Sequence, residues 1–242
     1  MSDIKLYWGD CLKIMDGMIA DGVKVDAIIT DPPYGTTACK WDSVIPFEEM
    51  WKRLNKLIKS NGAVVLFGSE PFSSALRMSN IKEYRYDWIW KKSKSSGIGN
   101  CNKIPMKNHE IISVFYKKLP IYNPQGLKSF NKIVRCGKAP SILGLKTGIK
   151  SGEKLQKFTN YPRTVLEIKS EGKTCHPTQK PVALMEYLIK TYTNEGDTVL
   201  DFTMGSGTTG VACKNLNRNF IGIELDLNYY MIAQERINAD NA

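Results

Sequence analysis

The sequence predicts an α/β fold in which a mostly parallel sheet is covered by helices on both faces. Short apolar runs typical of strands alternate with segments whose apolar residues recur at helical spacing, and this alternation indicates parallel βαβ units. Two loop motifs, at residues 31–34 and 201–210, each follow a strand-like run directly. At 242 residues the chain is long enough for one such core and one small insertion.

The predicted elements follow from the spacing of apolar residues. Strand-like runs lie at residues 4–7, 25–30, 63–67, 86–90, 111–115, 198–201 and 220–223. Pro46 begins a helical pattern that continues to Ile58, and Asn61-Gly62 is predicted to end it as a C-cap. Pro181 begins a second helical pattern that stops near Gly196, and residues 227–237 are predicted to form a C-terminal helix.

The alternation of strands and helices fails between about residues 119 and 173, where Gly, Lys, Ser, Asn and Pro are frequent. A loop this long is usually functional or disordered, and we expect a small, partly ordered insert. Residues 91–173 contain 18 Lys and Arg against 4 Asp and Glu, a formal +14, whereas the whole chain carries +10. This concentration predicts a polyanion partner, and nucleic acid is favoured because the lysines do not line an amphipathic, membrane-binding helix.

Composition also limits the classes of function. No apolar run approaches the roughly 18 residues of a membrane span, and the first residues lack the pattern of a signal peptide, so a cytoplasmic location is expected. Six scattered cysteines and two histidines give no metal-ligand spacing, so no metal is expected. The cysteines are predicted to be reduced and mostly structural.

The segment 201–210, DFTMGSGTTG, follows a strand-like run and is suited to a nucleoside cofactor. Its glycines allow a tight turn and a close approach of the backbone to a ligand. Glu224 ends the next strand, about twenty residues later, where a carboxylate can accept hydrogen bonds from both ribose hydroxyls. The string GSGTTG also fits G-x-G-x-x-G, so local spacing alone does not exclude a nicotinamide nucleotide.

Asp31-Pro32-Pro33-Tyr34 follows the run 25–30 and is suited to hold the exocyclic amine of a base. Asp31 can accept one hydrogen bond from the amine and the Pro32 carbonyl a second, because the two prolines stiffen the turn. Tyr34 can stack on the base. Such acceptors shift the amine toward a tetrahedral, nucleophilic geometry, and a sulfonium methyl donor needs no metal. Together with the distant glycine loop, the tetrapeptide indicates methylation of an amino group on a nucleic-acid base.

On these motifs the chain resembles the β-class amino-methyltransferases of DNA, which use S-adenosylmethionine, and most of all the adenine-N6 members of restriction-modification systems and phages. Thr203 and Met204 depart mildly from the family's cofactor loop. The resemblance implies a Rossmann-like, seven-stranded, mostly parallel sheet with one reversed strand near an edge and a circularly permuted motif order. Family members extrude the target base from double-stranded DNA, so Asp31 and Gly205 are expected to face one cleft at the carboxyl ends of the strands.

The resemblance also assigns roles outside the two motifs. Asp10 is implied to bind the adenine amine of the cofactor, whereas from the sequence alone a helix N-cap is equally open. Thr178 and Lys180 are implied to lie near the methionine end of the cofactor. Asn108-His109-Glu110 matches a further family motif, to which we assign no chemical role. The predicted cofactor contacts are Asp10, Thr178, Lys180, Asp201, Phe202, Gly205, Ser206, Gly207, Thr208 and Glu224.

Target recognition is implied to lie in the insert. The predicted organisation is therefore a catalytic part at 1–118, a recognition insert at 119–173 and a cofactor-binding part at 174–242. Basic side chains of the insert are predicted to neutralise phosphates, namely Lys128, Lys132, Arg135, Lys138, Lys146 and Lys150. A homodimer and a cognate restriction nuclease are further partners that the resemblance allows.

Four alternatives remain open at this stage. A cytosine-N4 methyltransferase is the nearest, although such enzymes usually carry Ser in place of Asp31. A protein glutamine methyltransferase usually has Asn at that position and its cofactor loop upstream. A non-catalytic DNA-binding module and an NAD-dependent oxidoreductase are the alternatives from other classes.

Overall fold

The computed structural model describes residues 2–36, 42–136, 152–171 and 179–239. The strands are β1 (Ile4–Trp8), β2 (Val25–Thr30), β3 (Ile58–Gly68), β4 (Tyr84–Ser96), β5 (Lys107–Phe115), β6 (Lys128–Cys136), β7 (Gly152–Thr159), β8 (Val165–Glu167), β9 (Thr198–Asp201) and β10 (Asn219–Glu224). The helices are α1 (Cys11–Ala20), α2 (Phe47–Leu57), α3 (Phe72–Ser79), α4 (Val182–Tyr192), α5 (Thr208–Asn215) and α6 (Leu227–Asn238).

The main sheet has the order β1-β10-β9-β2-β3-β5-β4-β8. All of its neighbouring strands are parallel except for β5, which runs antiparallel to both β3 and β4. The predicted Rossmann-like, mostly parallel sheet with one reversed strand is thus confirmed. The described sheet has eight strands rather than seven, because the three-residue β8 pairs with the outer side of β4.

Helices cover both faces of the sheet because residues of the central strands alternate between two hydrophobic clusters. Ile29 of β2 packs in one cluster with Leu188 of α4, together with residues of α5 and α6. The adjacent Ile28 faces the other side and packs with Leu54 of α2, together with residues of α1 and α3. All four side chains are fully buried, and burial of each such side chain contributes about 1.5–3 kcal/mol.

The predicted C-cap at Asn61-Gly62 is wrong. Helix α2 ends at Leu57, and β3 begins at the next residue, so Asn61-Gly62 lies inside the strand. The pairing of β3 with β2 shifts register at this point. A Cβ at Gly62 would lie 2.6 Å from the Asp26 carbonyl oxygen, so the glycine permits a close approach of two strands. Helices α1 and α3 were not among the predicted elements.

Pro124–Arg163 forms a compact unit of its own, and the rest of the chain forms the other. The smaller unit lies within the predicted insert and contains the antiparallel pair β6–β7. Large apolar side chains on this pair are exposed, including Ile133, Leu155 and Phe158. Among the helices that the structure describes, none is long and apolar enough to span a membrane.

Candidate active site

The two sequence motifs meet because the strands that precede them are neighbours. β2 and β9 pair in parallel, with Ile28 opposite Leu200, so their carboxyl ends lie side by side. Thr30 at the end of β2 donates from Oγ1 to Asp201 Oδ1 at 2.5 Å. A second hydrogen bond runs from the segment after β9 to the segment after β2: Thr203 Oγ1 donates to the carbonyl oxygen of Asp31 at 3.2 Å. Hydrogen bonds therefore join loops that are more than 170 residues apart in the sequence.

A single cavity of about 450 Å³ opens at this edge of the sheet. Its lining includes Asp31, Pro32, Pro33 and Tyr34 from the first motif, and Asp201, Phe202, Gly205, Ser206 and Thr208 from the second. The expectation that the carboxylate and the glycine loop face one cleft is confirmed.

Asp31 is held from two sides. The Tyr34 hydroxyl donates to Asp31 Oδ1, and the Lys180 ammonium donates to Oδ2. Burial raises the pKa of Asp31 above its ordinary value, although the charge of Lys180 opposes the shift. The Tyr34 ring packs on Phe72 with the ring centroids 5.1 Å apart. The tyrosine is therefore fixed in position beside the carboxylate.

Lys180 lies between two carboxylates rather than beside the glycine loop alone. It is 6% exposed, and its ammonium contacts Asp31 and, at 3.2 Å, Glu110 Oε2. Burial alone would lower the pKa of Lys180, but Asp31 and Glu110 outweigh that effect and raise it. Lys180 is therefore an ammonium group at neutral pH, and it places positive charge beside the carboxylate of Asp31.

Glu110 is a site residue to which sequence reasoning assigned no role. It is 8% exposed, pairs with Lys92 through Oε1, and lines the cavity. Burial would raise the pKa of Glu110, but Lys180 and Lys92 outweigh it and lower the pKa. One signal was available: Glu110 is the only acidic residue between positions 88 and 152. An isolated carboxylate in so basic a segment, directly before a buried strand, indicates a specific partner.

Asp201 borders the cavity but is engaged within the protein. Its Oδ2 accepts a hydrogen bond from Thr209 Oγ1, and its Oδ1 accepts from Thr30 and, at 3.1 Å, from the Thr203 amide. The residue is 3% exposed, and burial raises its pKa from 3.8 to about 6. These contacts connect β2, β9 and α5 directly beneath the cavity.

The glycine loop is shaped by two residues with positive φ. Gly205 has φ +54°, and its amide donates to Glu224 Oε2 at 2.8 Å. Gly207 has φ +78° and precedes α5; a Cβ there would lie 2.9 Å from Ala233 Cβ. Gly207 thus faces α6 rather than the cavity, and its role in the structure is close packing. The neighbouring Ser206 receives a hydrogen bond from Arg236 at 2.8 Å.

Comparison with known proteins identifies the family. Residues 25–235 match the model of a family described as DNA methylase. The chain belongs to this family. The type II methyltransferase M2.DpnII of Streptococcus pneumoniae is 29% identical over 98% of this chain and 90% of the relative. The type II methyltransferase M.HpaI of Haemophilus parainfluenzae is 28% identical over 98% of the methylase and 75% of the relative.

Solved structures agree with this assignment. The complex of M1.HpyAVI with S-adenosylmethionine is 32% identical to the methylase, with a TM-score of 0.69, and the match covers 98% of this chain and 100% of that one. The cytosine-N4-specific PvuII DNA methyltransferase has a TM-score of 0.69 at 18% identity, over 100% of this chain and 89% of that one, and this shows the shared fold alone. The methylase is thus an S-adenosylmethionine-dependent DNA methyltransferase, as the motifs predicted.

The cavity of the methylase fits S-adenosylmethionine. A Cβ at Gly205 would meet no atom within 4 Å, so the loop leaves open space for a ligand at this point. Asp10 and Glu224 border the same cavity, so carboxylates are present where the cofactor's amine and ribose are predicted to bind. Asp10 is also the N-cap of α1, accepting from the Lys13 amide at 3.0 Å, so the two roles predicted for it are compatible. Glu224 accepts backbone hydrogen bonds from Gly205 and Asp226, which fix its orientation.

The predicted DNA-binding residues are only partly covered by the structure. Lys128, Lys132 and Arg135 lie on β6 and are exposed, with Arg135 placed 3.3 Å from Glu153. The remaining predicted phosphate contacts, Lys138, Lys146 and Lys150, and the predicted cofactor contact Thr178 lie outside the described residues.

Proposed function

We propose that this methylase transfers a methyl group to the N6 amine of adenine in double-stranded DNA, with the target base turned out of the helix into the cavity. The observation that carries the proposal is the carboxylate of Asp31, at the end of β2 and in the same cavity as the glycine loop. A carboxylate accepts a hydrogen bond from an amine more strongly than a hydroxyl does. That chemistry suits an adenine amine whose lone pair must be drawn out of conjugation with the ring.

Each residue around Asp31 has a defined task in this proposal. Asp31 and the Pro32 carbonyl accept the two N–H bonds of the amine and so fix the direction of its lone pair. The Tyr34 ring, supported by Phe72, offers a flat surface for the base. The charge of Lys180 opposes the rise in the pKa of Asp31 that burial causes and so favours the carboxylate that accepts the amine, and the amine loses its proton after methyl transfer.

S-adenosylmethionine, when bound, supplies a methyl group already activated on a sulfonium. We propose Asp10, Phe202, Gly205 and Glu224 as its contacts, because all four line the cavity next to Asp31. Thr208 and Ser206 line the same wall. Their hydroxyls are further proposed contacts.

The proposal predicts that Asp31→Ala abolishes methyl transfer while binding of DNA remains. Tritiated S-adenosylmethionine is incubated with unmethylated genomic DNA, and the labelled nucleosides are separated after digestion. Label is expected in N6-methyladenine with the wild type and is expected to be absent with the variant. Asp21→Ala, which removes an exposed carboxylate at the end of α1, is the matched control and should transfer label normally.

The other outcomes each select an alternative. Label in N4-methylcytosine would make the protein a cytosine-N4 enzyme. DNA binding without transfer to any duplex would make it a binding module. Equilibrium dialysis that showed a preference for NAD over S-adenosylmethionine would contradict the cofactor assignment. The expected cytoplasmic location, homodimer and cognate nuclease stay predictions, as do the phosphate contacts of Lys128, Lys132 and Arg135.

A further inference from the structure

β4 and β5 extend beyond the sheet as a protruding hairpin, residues 93–109. Every residue from Ser93 to His109 is exposed, whereas Trp90 and Glu110 at its base are buried. The protruding hairpin is ordered by its own hydrogen bonds, including the pairing of Ser96 with Lys107 and a short 3-10 helix at Ile98–Asn100. It lies outside the insert to which DNA recognition was assigned.

The protruding hairpin stands at the catalytic edge of the sheet. β3 and β4 are both antiparallel to β5 and therefore run in the same direction, so β4 leaves the sheet at the edge where β2 presents Asp31. Its base is joined to the site by side chains. Lys92 pairs with Glu110, and Glu110 and Asp31 both pair with Lys180. A base that reached Asp31 would bring its duplex next to the protruding hairpin.

The charged side chains of the protruding hairpin are all basic. Residues 93–109 contain Lys94, Lys103 and Lys107 and no acidic residue. Lys107 donates to Ser69 Oγ at the end of β3. Among the described residues, Lys94 and Lys103 have no carboxylate partner. Ser96, two residues beyond Lys94, pairs with Lys107, which is three residues from Glu110, so Lys94 lies within about 10 Å of the level of Glu110 along the hairpin.

The end of the protruding hairpin also carries apolar side chains. Ile98 is 72% exposed and Ile104 is 58% exposed. Both flank the turn at Asn100, whose carbonyl accepts the Lys103 and Ile104 amides at 2.8 and 3.0 Å. A basic projection with apolar side chains at its end suits a duplex, which is anionic along its backbone and offers thymine methyl groups and stacked bases as apolar contacts.

We infer that the protruding hairpin is a second DNA-binding element, in which Lys94 and Lys103 contact phosphates of the duplex that flanks the extruded base. The inference rests on the proposed function only in taking duplex DNA as the substrate. Phosphate contacts of this kind position the duplex without reading its sequence. The hairpin therefore sets where the duplex lies relative to Asp31, and the choice of sequence is left to other residues.

The test measures binding of the full-length protein to a fluorescein-labelled random-sequence duplex of 30 base pairs at several salt concentrations. A plot of log K against log [salt] has a negative slope. In Lys94→Ala/Lys103→Ala this slope should be less steep by about 2, since each lost phosphate contact removes about 0.9. The affinity advantage of the wild type over this variant should then shrink about tenfold between 50 and 200 mM salt. Lys52→Ala/Lys56→Ala, which removes two exposed lysines from α2, is the control for net charge and should leave the slope near the wild-type value.

Four results would overturn the inference, and the last of them would also overturn the proposed function. The first is an equal change of slope in both double variants, because the effect would then reflect net charge alone. The second is a wild-type slope in Lys94→Ala/Lys103→Ala while methyl transfer persists, and this would refute the hairpin contact without touching the proposed function. The third combines two measurements. If Lys94→Ala/Lys103→Ala keeps the wild-type slope while Ile98→Ser/Ile104→Ser changes the sedimentation coefficient, the surface binds a protein partner instead. A wild type that neither binds nor methylates duplex DNA would refute both proposals.

Discussion

The buried carboxylate of Asp201 should make the protein less stable as the pH rises, and Asp201→Asn should remove that dependence. Burial raises the pKa of Asp201 from 3.8 to about 6, in spite of the hydrogen bonds from Thr209, Thr30 and the Thr203 amide. Between these two values the folded protein holds a proton that the unfolded chain has released. The contribution of Asp201 to the free energy of unfolding is therefore greatest below pH 4 and is lost as the pH rises through about 6.

The size of the effect follows from the shift. Each pKa unit corresponds to 1.36 kcal/mol, so the wild type should lose about 3 kcal/mol relative to the variant between pH 4 and pH 7. No reduction for solvent screening applies, because the side chain is 3% exposed. Asparagine preserves the shape: its oxygen can accept from Thr30 and from the Thr203 amide, and its NH2 group faces Thr209.

The assay is urea unfolding of the wild type and of Asp201→Asn at intervals from pH 4 to pH 8. The quantity compared is the difference between their free energies of unfolding, since contributions from other titrating groups largely cancel in it. Asp21→Asn, at an exposed site, controls for the change in net charge. A difference that stayed constant over this range, or that changed in favour of the wild type with rising pH, would refute the argument.

Two further substitutions test the site and the loop. Lys180→Met leaves the partly exposed Asp31 and the buried Glu110 without the ammonium group that contacts both. Stability should therefore fall by about 3 kcal/mol. The acid limb of the pH profile of kcat/KM should move to higher pH, because the pKa of Asp31 rises. In the Lys180→Met protein, the second substitution Glu110→Gln should recover part of the stability, because it removes one of the two carboxylates. An acid limb of the kcat/KM profile that stayed at its wild-type pH in Lys180→Met would contradict the role given to the ammonium group. Gly207→Ala should destabilise the protein by about 2–5 kcal/mol. The loss has two sources, namely the cost of placing a residue with a Cβ in the left-handed region and the crowding of that Cβ against α6. Gly22→Ala, with φ +70° in open space, should cost only the backbone part, about 1–2 kcal/mol, and equal losses at the two glycines would disprove the crowding argument.

Strands buried on both faces were the easiest elements to predict. β2 and β9 were predicted to the residue, at 25–30 and 198–201, because a central parallel strand carries apolar residues at successive positions, here 27–29 and 199–200, rather than at alternate ones. The contact between the two motifs could also be predicted from the sequence, since both motifs follow such strands and parallel strands present their carboxyl ends at one edge of the sheet.

The remaining features depend on contacts that leave no periodic signal. The boundary between α2 and β3 was missed because Asn-Gly is a frequent helix C-cap, whereas here Gly62 is required by the close approach of Asp26. The strand β8 is three residues long and gains its stability from pairing with β4. Lys180 was placed near the cofactor by resemblance alone, and its contacts with Asp31 and Glu110 join three segments that are remote in the sequence.

The sheet order explains why the sequence can present the proposed target-binding motif, at residues 31–34, before the glycine loop. The geometry of transfer requires only that β2 and β9 be neighbours, and they pair directly. The proposed cofactor side is completed by β10 and β1, which pair in parallel from Ile4 opposite Phe220 to Trp8 opposite Glu224. Asp10 and Glu224 thereby come to one cavity from opposite ends of the sequence. Because spatial adjacency is provided by strand pairing, the order of the motifs in the chain can be permuted while the site stays the same.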